Sequence, residues 1–110
     1  MKLAFFITAA VILLAACGQS SGTSNDGRLT LEQAPTDVAA IYKSNCIRCH
    51  AIDLSGKMGD VTNLQYVHER LSEEEIIERI TNGGKTMPAF KERLSEQEIA
   101  ALAAWLANQQ

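Results

Sequence analysis

The amino-acid sequence predicts a small all-α domain that follows an exported leader. Three stretches open with a helix N-cap residue and continue with apolar residues at helical spacing, the pattern of short amphipathic helices. No run of four or more residues alternates between apolar and polar side chains as a half-buried strand does. The 110 residues leave room for a single small domain.

The first residues have the composition of a secretory signal. Thirteen of the fourteen residues from Leu3 to Ala16 are apolar, and the single charge of Lys2 precedes them. This run is shorter than the about 20 residues that a transmembrane helix needs. It ends in "LLAAC", which resembles the lipobox of bacterial lipoproteins. That resemblance implies that residues 1–16 are a cleaved signal peptide. It also implies that Cys17 receives a lipid and anchors the protein to the extracytoplasmic face of the cell membrane.

A polar segment separates the leader from the predicted domain. From Gly18 to Arg28 the chain reads "GQSSGTSNDGR", which contains no large apolar side chain to bury. We therefore expect residues 17–34 to form the lipidated start and a flexible tether. Residues 35–110 are expected to form the folded domain.

The net charge and the predicted export of the protein reduce the number of functions that need to be considered. Without Lys2, nine basic residues face thirteen acidic ones, which gives a net charge of −4. A mildly acidic domain without a basic run is not expected to bind nucleic acid. Export also places any paired thiols outside the cytosol, where they normally form a disulfide or are chemically capped.

The first predicted helix begins at "PTDV", with Thr36 as its N-cap. Its apolar residues Val38, Ile41 and Tyr42 fall on one face, which leads directly into Cys46. The chain therefore delivers the first cysteine of a short motif at the end of an amphipathic helix.

The second and third predicted helices begin with capping boxes, Ser72 with Glu75 and Ser95 with Glu98. Gly83 or Gly84 is expected to end the second helix. The expected buried residues are Ile76, Ile77 and Ile80 in the second helix, and Ile99, Leu102, Ala103 and Leu106 in the third, with Trp105 at the edge of that face. Three such short helices hold too few large apolar side chains for a substantial core, so another group is expected to fill the centre.

The motif "NCIRCH", residues 45–50, offers three chemistries: a redox dithiol, a soft-metal site, or covalent attachment of haem. A thioredoxin-like dithiol needs a βαβ unit, and the sequence predicts no strands. A structural zinc site needs four protein ligands, and beyond Cys46, Cys49 and His50 the sequence offers only His68 and scattered carboxylates.

Covalent haem accounts for every position of the motif. On one helical turn, the thiols of Cys46 and Cys49 lie on the same side and form thioethers with the two vinyl groups of one haem c. His50 follows at once and is the expected proximal axial ligand of the iron. The attached thiols also tolerate an oxidising compartment.

Met87, in "GGKTMPAF", is the expected distal ligand. It stands 37 positions after His50, far enough for the chain to reach the other side of a haem, and Pro88 favours an extended conformation at Met87. Met58 lies only eight residues after His50 and has little chain with which to cross. His68 is the main rival, although its surroundings "YVHERLS" predict a solvated helical face.

With these motifs in place, the chain resembles a class I cytochrome c from Pro35 to Gln110. The matching stretches are "YKSNCIRCH", "NL" at residues 63–64, "RLSEEEI", "NGGKTMPAF" and "AALAAWLANQ". The lipobox makes it most similar to the small lipoprotein cytochromes of Gram-positive bacteria, the c-551/c-553 type. The resemblance implies three to four helices wrapped around one covalent haem. The first and last helices are expected to cross, and Leu64, Ile77, Ile80 and Phe90 to face the haem.

The sequence departs from the family at one position near the motif. The family often has proline before "NL", and the carbonyl of that proline accepts a hydrogen bond from the axial histidine. Here the stretch is "GDVTNL", with Thr62 at that position. Whether the Thr62 carbonyl is oriented toward His50 does not follow from the sequence.

The predicted function is electron transport, without enzymatic chemistry. The resemblance implies a monomer that takes electrons from a quinol-oxidising complex or another donor and passes them to a terminal oxidase. The rival function is a haem sensor or peroxidase with an open distal position. A peroxidase needs a distal base and an arginine, and "TNGGKTMPAF" provides neither.

Overall fold

The computed structural model of the chain describes residues 26–108. This part contains four α-helices: α1 Thr36–Asn45, α2 Ile47–His50, α3 Glu73–Asn82 and α4 Glu96–Ala107. Three short 3-10 turns lie between or before them, at Leu31–Gln33, Asp60–Thr62 and Val67–Glu69. No strand occurs within residues 26–108, so the all-α prediction is confirmed. The predicted signal peptide and Cys17 lie outside the described residues.

Helix α1 begins one residue earlier than predicted. Pro35 is its N-cap, and Thr36 is the first helical residue. The carbonyl of Pro35 already accepts a hydrogen bond from the Ala39 amide, at 2.8 Å, and this bond moves the helix start. Val38 and Tyr42 are buried, as the spacing predicts.

Both predicted capping boxes are present. The Glu75 amide donates to Ser72 Oγ at 3.3 Å, and the Ser72 amide donates to the Glu75 carboxylate at 2.8 Å. Ser95 and Glu98 repeat the arrangement at 3.2 and 2.8 Å. Each pair satisfies two amides that the first turn of a helix cannot pair internally. The starts of α3 and α4 are therefore set by local sequence.

Helix α4 packs against both α1 and α3 and contributes five of the thirteen buried core residues that the structure describes, more than any other helix. At the contact with α1, the rings of Tyr42 and Trp105 meet edge to face, with centroids 5.5 Å apart and planes at 85°. The expected packing of the first helix against the last, with Tyr42 on Trp105, is thus observed. Trp105 is buried, where the sequence predicts an edge position. Partly buried side chains line the same cluster, among them Cys46, Leu64, Ile77 and Met87.

The packed domain begins before the predicted boundary at residue 35. Leu29 is only 2% exposed and belongs to the core cluster. Its amide donates to the Gln65 carbonyl at 2.8 Å. The last residues of the predicted tether are therefore part of the fold. Within residues 26–108, no helix is both long and apolar enough to cross a membrane.

Candidate functional site

The two cysteines and the histidine of the motif share one helical turn. Cys46 joins α1 to α2, and its carbonyl accepts hydrogen bonds from the amides of Cys49, at 3.2 Å, and His50, at 3.0 Å. Residues three positions apart on a helix lie on the same side. The fold therefore presents both thiols together and places the imidazole of His50 directly after them. Both cysteines are free thiols.

The thiol of Cys46 is in a poor environment for redox exchange. Burial raises its pKa to about 11, so it stays protonated near neutral pH. Redox-active cysteines have a lowered pKa, because the thiolate is the reacting species. A partly buried, protonated thiol fits permanent attachment to a group better than reversible disulfide chemistry.

The imidazole of His50 is oriented by a backbone carbonyl. Its Nδ1 lies 2.7 Å from the Thr62 carbonyl oxygen, to which Nδ1–H donates. That bond fixes the neutral tautomer in which Nε2 keeps its lone pair for a metal. The carbonyl whose orientation the sequence left open is therefore turned toward His50.

The loop after His50 folds back over the end of α2. The amides of Gly56 and Lys57 donate to the carbonyls of His50 and Cys49, both at 2.9 Å. This arrangement closes the C-terminal end of the turn that carries the thiols. It also brings the following 3-10 turn, Asp60–Thr62, beside His50.

Ala51 begins that loop with a positive φ of 65°, which is uncommon for a residue with a side chain. The hydroxyl of Tyr42 donates to the Ala51 carbonyl at 2.8 Å, in a buried position. The helical spacing predicts Tyr42 only as an apolar core residue. No local pattern connects its hydroxyl to a carbonyl nine positions later.

Met87 lies in a separate loop that is tied to the end of α3. The Gly84 amide donates to the Met87 carbonyl at 2.9 Å, and Phe90 donates to the Ile80 carbonyl at 3.0 Å. Gly83 ends α3 with a φ of 76°. A Cβ atom there would lie 2.5 Å from the Met87 carbonyl oxygen, so only glycine permits this approach. Met87 itself packs against the core cluster.

The two rival distal ligands have different surroundings. Met58 is 49% exposed, in the loop that follows the motif. The prediction of a solvated face at His68 is wrong, because both its ring nitrogens are buried and have no hydrogen-bond partner. The 3-10 turn of His68, Val67–Glu69, packs on α4, with Val67 as its buried residue. Sequence reasoning missed it because a single polar turn gives no signal of what covers it.

Within residues 26–108, no group of three or more histidine, cysteine, aspartate or glutamate side chains is arranged to hold a metal ion. A surface hollow of about 640 Å³ lies beside α1, and none of the predicted site residues lines it. Its lining includes Arg28, Lys43 and Asp53. The chemistry-bearing residues are thus concentrated in the α2 turn and the Met87 loop.

Comparison with known proteins agrees with this arrangement. A family profile described as "Cytochrome C oxidase, cbb3-type, subunit III" matches residues 33–106. The chain is 32% identical over 69 residues to cytochrome c6 of Leptolyngbya boryana, a match that covers 60% of this chain and 81% of the relative. It is 34% identical over 76 residues to the chloroplastic cytochrome c6 of Chlamydomonas reinhardtii. That match covers 64% of this chain and 51%, about half, of the Chlamydomonas protein.

Among solved structures, the KustC0563 c-type cytochrome superposes with a TM-score of 0.50 at 27% identity, covering 62% of this chain and 90% of that one. The donor set fits a covalent haem: two neighbouring free thiols, and an imidazole whose Nδ1 is already engaged. The profile match spans 74 of the 110 residues, from 33 to 106, and includes the motif and the Met87 loop. The chain therefore belongs to the class I c-type cytochromes, a family of electron carriers that hold haem c covalently.

Proposed function

We propose that the chain is a membrane-tethered carrier of single electrons, of the small lipoprotein c-551/c-553 type. Cys46 and Cys49 hold one haem c through thioether bonds, and His50 and Met87 are the axial ligands of its iron. The observation that carries the proposal is the 2.7 Å hydrogen bond from His50 Nδ1 to the Thr62 carbonyl. A histidine held in this way has Nε2 free to bind iron and cannot turn its ring away.

The bound haem supplies an iron that takes up and releases one electron at a time. The residues that bind the iron limit the protein to electron transfer. Axial binding by both His50 and Met87 leaves no position for a substrate. The thioether of Met87 favours ferrous iron more than a second imidazole does, and so raises the reduction potential.

The partners follow from the place of the carrier in the envelope. The lipobox at Cys17 holds the domain at the extracytoplasmic face of the membrane. The donor is a quinol-oxidising complex or another membrane donor, and the acceptor is a terminal oxidase. The carrier is expected to work as a monomer, and its contacts with redox partners are expected to be brief and to bury little surface.

The test of this function is the visible spectrum of purified Met87 variants. Wild type is expected to show the far-red band of methionine bound to ferric iron and to bind no carbon monoxide in the ferrous form. Met87→Ala should lose the band and bind carbon monoxide, since the distal position is then open. Met87→His should stay six-coordinate but with a lower reduction potential, because imidazole stabilises ferric iron better than a thioether does.

Met58→Ala is the matched control, because it removes an exposed methionine thioether from another loop. It should leave the spectrum and the potential unchanged. Two outcomes contradict the proposal. If His68→Ala or Met58→Ala opens the iron while Met87→Ala does not, the ligand assignment is wrong. If wild type binds carbon monoxide as readily as Met87→Ala, the protein is a sensor or a peroxidase and not a carrier.

A further inference from the structure

Thr62 is the one polar residue that is buried within residues 26–108, at 7% exposure. Burying a hydroxyl costs free energy unless its hydrogen bonds are satisfied. Here they are satisfied locally: Thr62 Oγ1 donates to the Gly59 carbonyl at 2.8 Å and accepts from the Met58 amide at 3.0 Å. The hydroxyl thus forms hydrogen bonds with both residues that precede its own 3-10 turn, Met58 and Gly59.

The same turn aims a carbonyl at His50. The Thr62 amide donates to the Gly59 carbonyl at 3.0 Å, and the Asn63 amide donates to the Asp60 carbonyl at 3.1 Å. The Thr62 carbonyl and the Asn63 amide belong to one planar peptide group. Because that amide is held by Asp60, the carbonyl on the other edge of the plane has a fixed direction, toward His50 Nδ1.

Gly56 supports this turn from the other side. Its amide is bound to the His50 carbonyl, and its φ is 84°. A Cβ atom at this position would meet the Thr62 hydroxyl and would lie 2.7 Å from the Thr62 carbonyl carbon. The loop after His50 therefore lies directly against the peptide group that orients the imidazole.

We propose that Thr62 is a positioning residue for His50. Its hydroxyl holds the 3-10 turn closed, so that its own carbonyl keeps a short hydrogen bond with Nδ1. This role replaces the rigidity that a proline ring would otherwise supply at this position. The inference rests on the proposed function, in which His50 is the proximal ligand. A carbonyl held firmly on Nδ1–H makes the imidazole a stronger electron donor and so lowers the reduction potential.

The test compares Thr62→Val, which removes the hydroxyl and keeps the branched shape, with Thr62→Ser, which keeps the hydroxyl. Two quantities are measured on the purified holoprotein. One is the reduction potential, and the other is the rate at which the His50 Nδ1 proton exchanges with deuterium, followed by NMR in the ferrous form. Thr62→Val should speed exchange by about tenfold, as expected when one hydrogen bond is weakened, and should raise the potential. Thr62→Ser should keep both the exchange rate and the reduction potential at their wild-type values.

Ser55→Ala is the control, because it removes an exposed hydroxyl from the same loop that binds only Asp53. It should change neither quantity. If Thr62→Val does not fold, Thr62→Ala removes the hydroxyl without placing a methyl group against Met58 and Gly59. A hydroxyl-deleted variant that is less stable but keeps wild-type exchange and potential overturns the inference. Absence of an axial histidine proton signal in wild type overturns both this inference and the proposed role of His50.

Discussion

Tyr42 shows how one side chain connects the core to the "CIRCH" motif, residues 46–50. Its ring packs edge to face on Trp105, at the contact between α1 and α4. Its hydroxyl donates to the carbonyl of Ala51, the first residue after the motif, whose φ is 65°. The position after His50 is therefore held in an uncommon backbone conformation by a residue of the preceding helix.

Tyr42→Phe is expected to lower the free energy of unfolding by about 0.5–1.5 kcal/mol, because the buried Ala51 carbonyl loses its short bond from the hydroxyl and keeps only the longer one from the Leu54 amide, at 3.3 Å. Tyr66→Phe is the matched control. The Tyr66 hydroxyl bonds the exposed Asp26 at 3.3 Å, and its loss should change stability by less than about 0.5 kcal/mol. Denaturant titration of both holoprotein variants measures the difference. Equal stabilities of the two variants would contradict the role given to the Tyr42 hydroxyl.

The Tyr42 effect should depend on pH. Burial holds the pKa of its phenol well above the usual value of about 10. Above pH 10 the unfolded chain loses this proton while the folded protein keeps it, so the stability that Tyr42 contributes falls as pH rises. The gap between wild type and Tyr42→Phe should therefore be full at pH 7 and narrow at pH 11. A constant gap across this range would contradict the buried, protonated phenol.

At the level of single residues, the sequence predicts which residues form the motif and the core better than it predicts their hydrogen-bond partners. The spacing of "CIRCH" is sufficient to single out Cys46, Cys49 and His50 as the candidate site, because residues on one helical turn have fixed relative positions. The burial of Tyr42 also follows from spacing. The partners of the Tyr42 and Thr62 hydroxyls do not, because each depends on a loop whose path is set by tertiary packing.

At the level of elements, the helix starts are local and the loops are not. Capping boxes predict the first turns of α3 and α4 because both partners lie within three residues of each other. The long connection after His50 contains two 3-10 turns, and the sequence indicates helical character only at the second, around His68. The first turn is hydrogen-bonded to His50 of the motif and the second packs on α4, so their positions depend on tertiary contacts.

Two glycines of equal backbone conformation separate strain from close packing. Gly83 has a φ of 76° and Gly59 a φ of 78°. A Cβ atom at Gly83 would lie 2.8 Å from Pro88 and Ala89 backbone atoms, whereas none lies within 4 Å at Gly59. Gly59→Ala should cost about 1 kcal/mol for its positive φ alone. Gly83→Ala should cost more, because the Met87 loop has to move away.

The loop displacement has its own signature under the proposed ligation. Gly83→Ala should weaken the far-red band of wild type and admit carbon monoxide, while Gly59→Ala should keep the far-red band and exclude carbon monoxide, because Gly59 lies outside the Met87 loop. Denaturant titration and ligand binding, measured on the same samples, separate the two effects. Equal losses of stability and intact spectra in both variants would show that Gly83 does not hold the Met87 loop in place.

For the whole molecule, the sequence predicts the fold class and the motif but not the start of the domain. Leu29 lies between Arg28 and Thr30, and Leu31 is the only other large apolar residue nearby, so no helical periodicity marks Leu29 as part of the core. It becomes buried because its amide pairs with Gln65, on a loop distant in sequence. The packed domain therefore starts closer to the predicted lipid site, Cys17, than the predicted boundary at residue 35 does.

Because the packed domain starts earlier, a shorter segment separates it from Cys17. The length of this segment limits how far an anchored carrier can lie from the membrane. Eleven residues, 18–28, separate Cys17 from Leu29. At the span of a fully extended chain, they reach at most about 40 Å. Under the proposed lipidation of Cys17, a domain held on so short a segment would stay beside the membrane and meet partners whose redox centres lie near the membrane surface.

Cys17→Ser should therefore move the cytochrome from the membrane pellet to the soluble fraction. Its visible spectrum should not change, because the predicted haem ligands all lie within the packed domain. Ser20→Ala keeps the lipid-bearing residue and should pellet as wild type does. Cell fractionation with haem staining measures the distribution of each variant. A Cys17→Ser protein that pellets like wild type would show that the anchor is not a lipid on this cysteine, and that residues 1–16 hold the domain at the membrane instead.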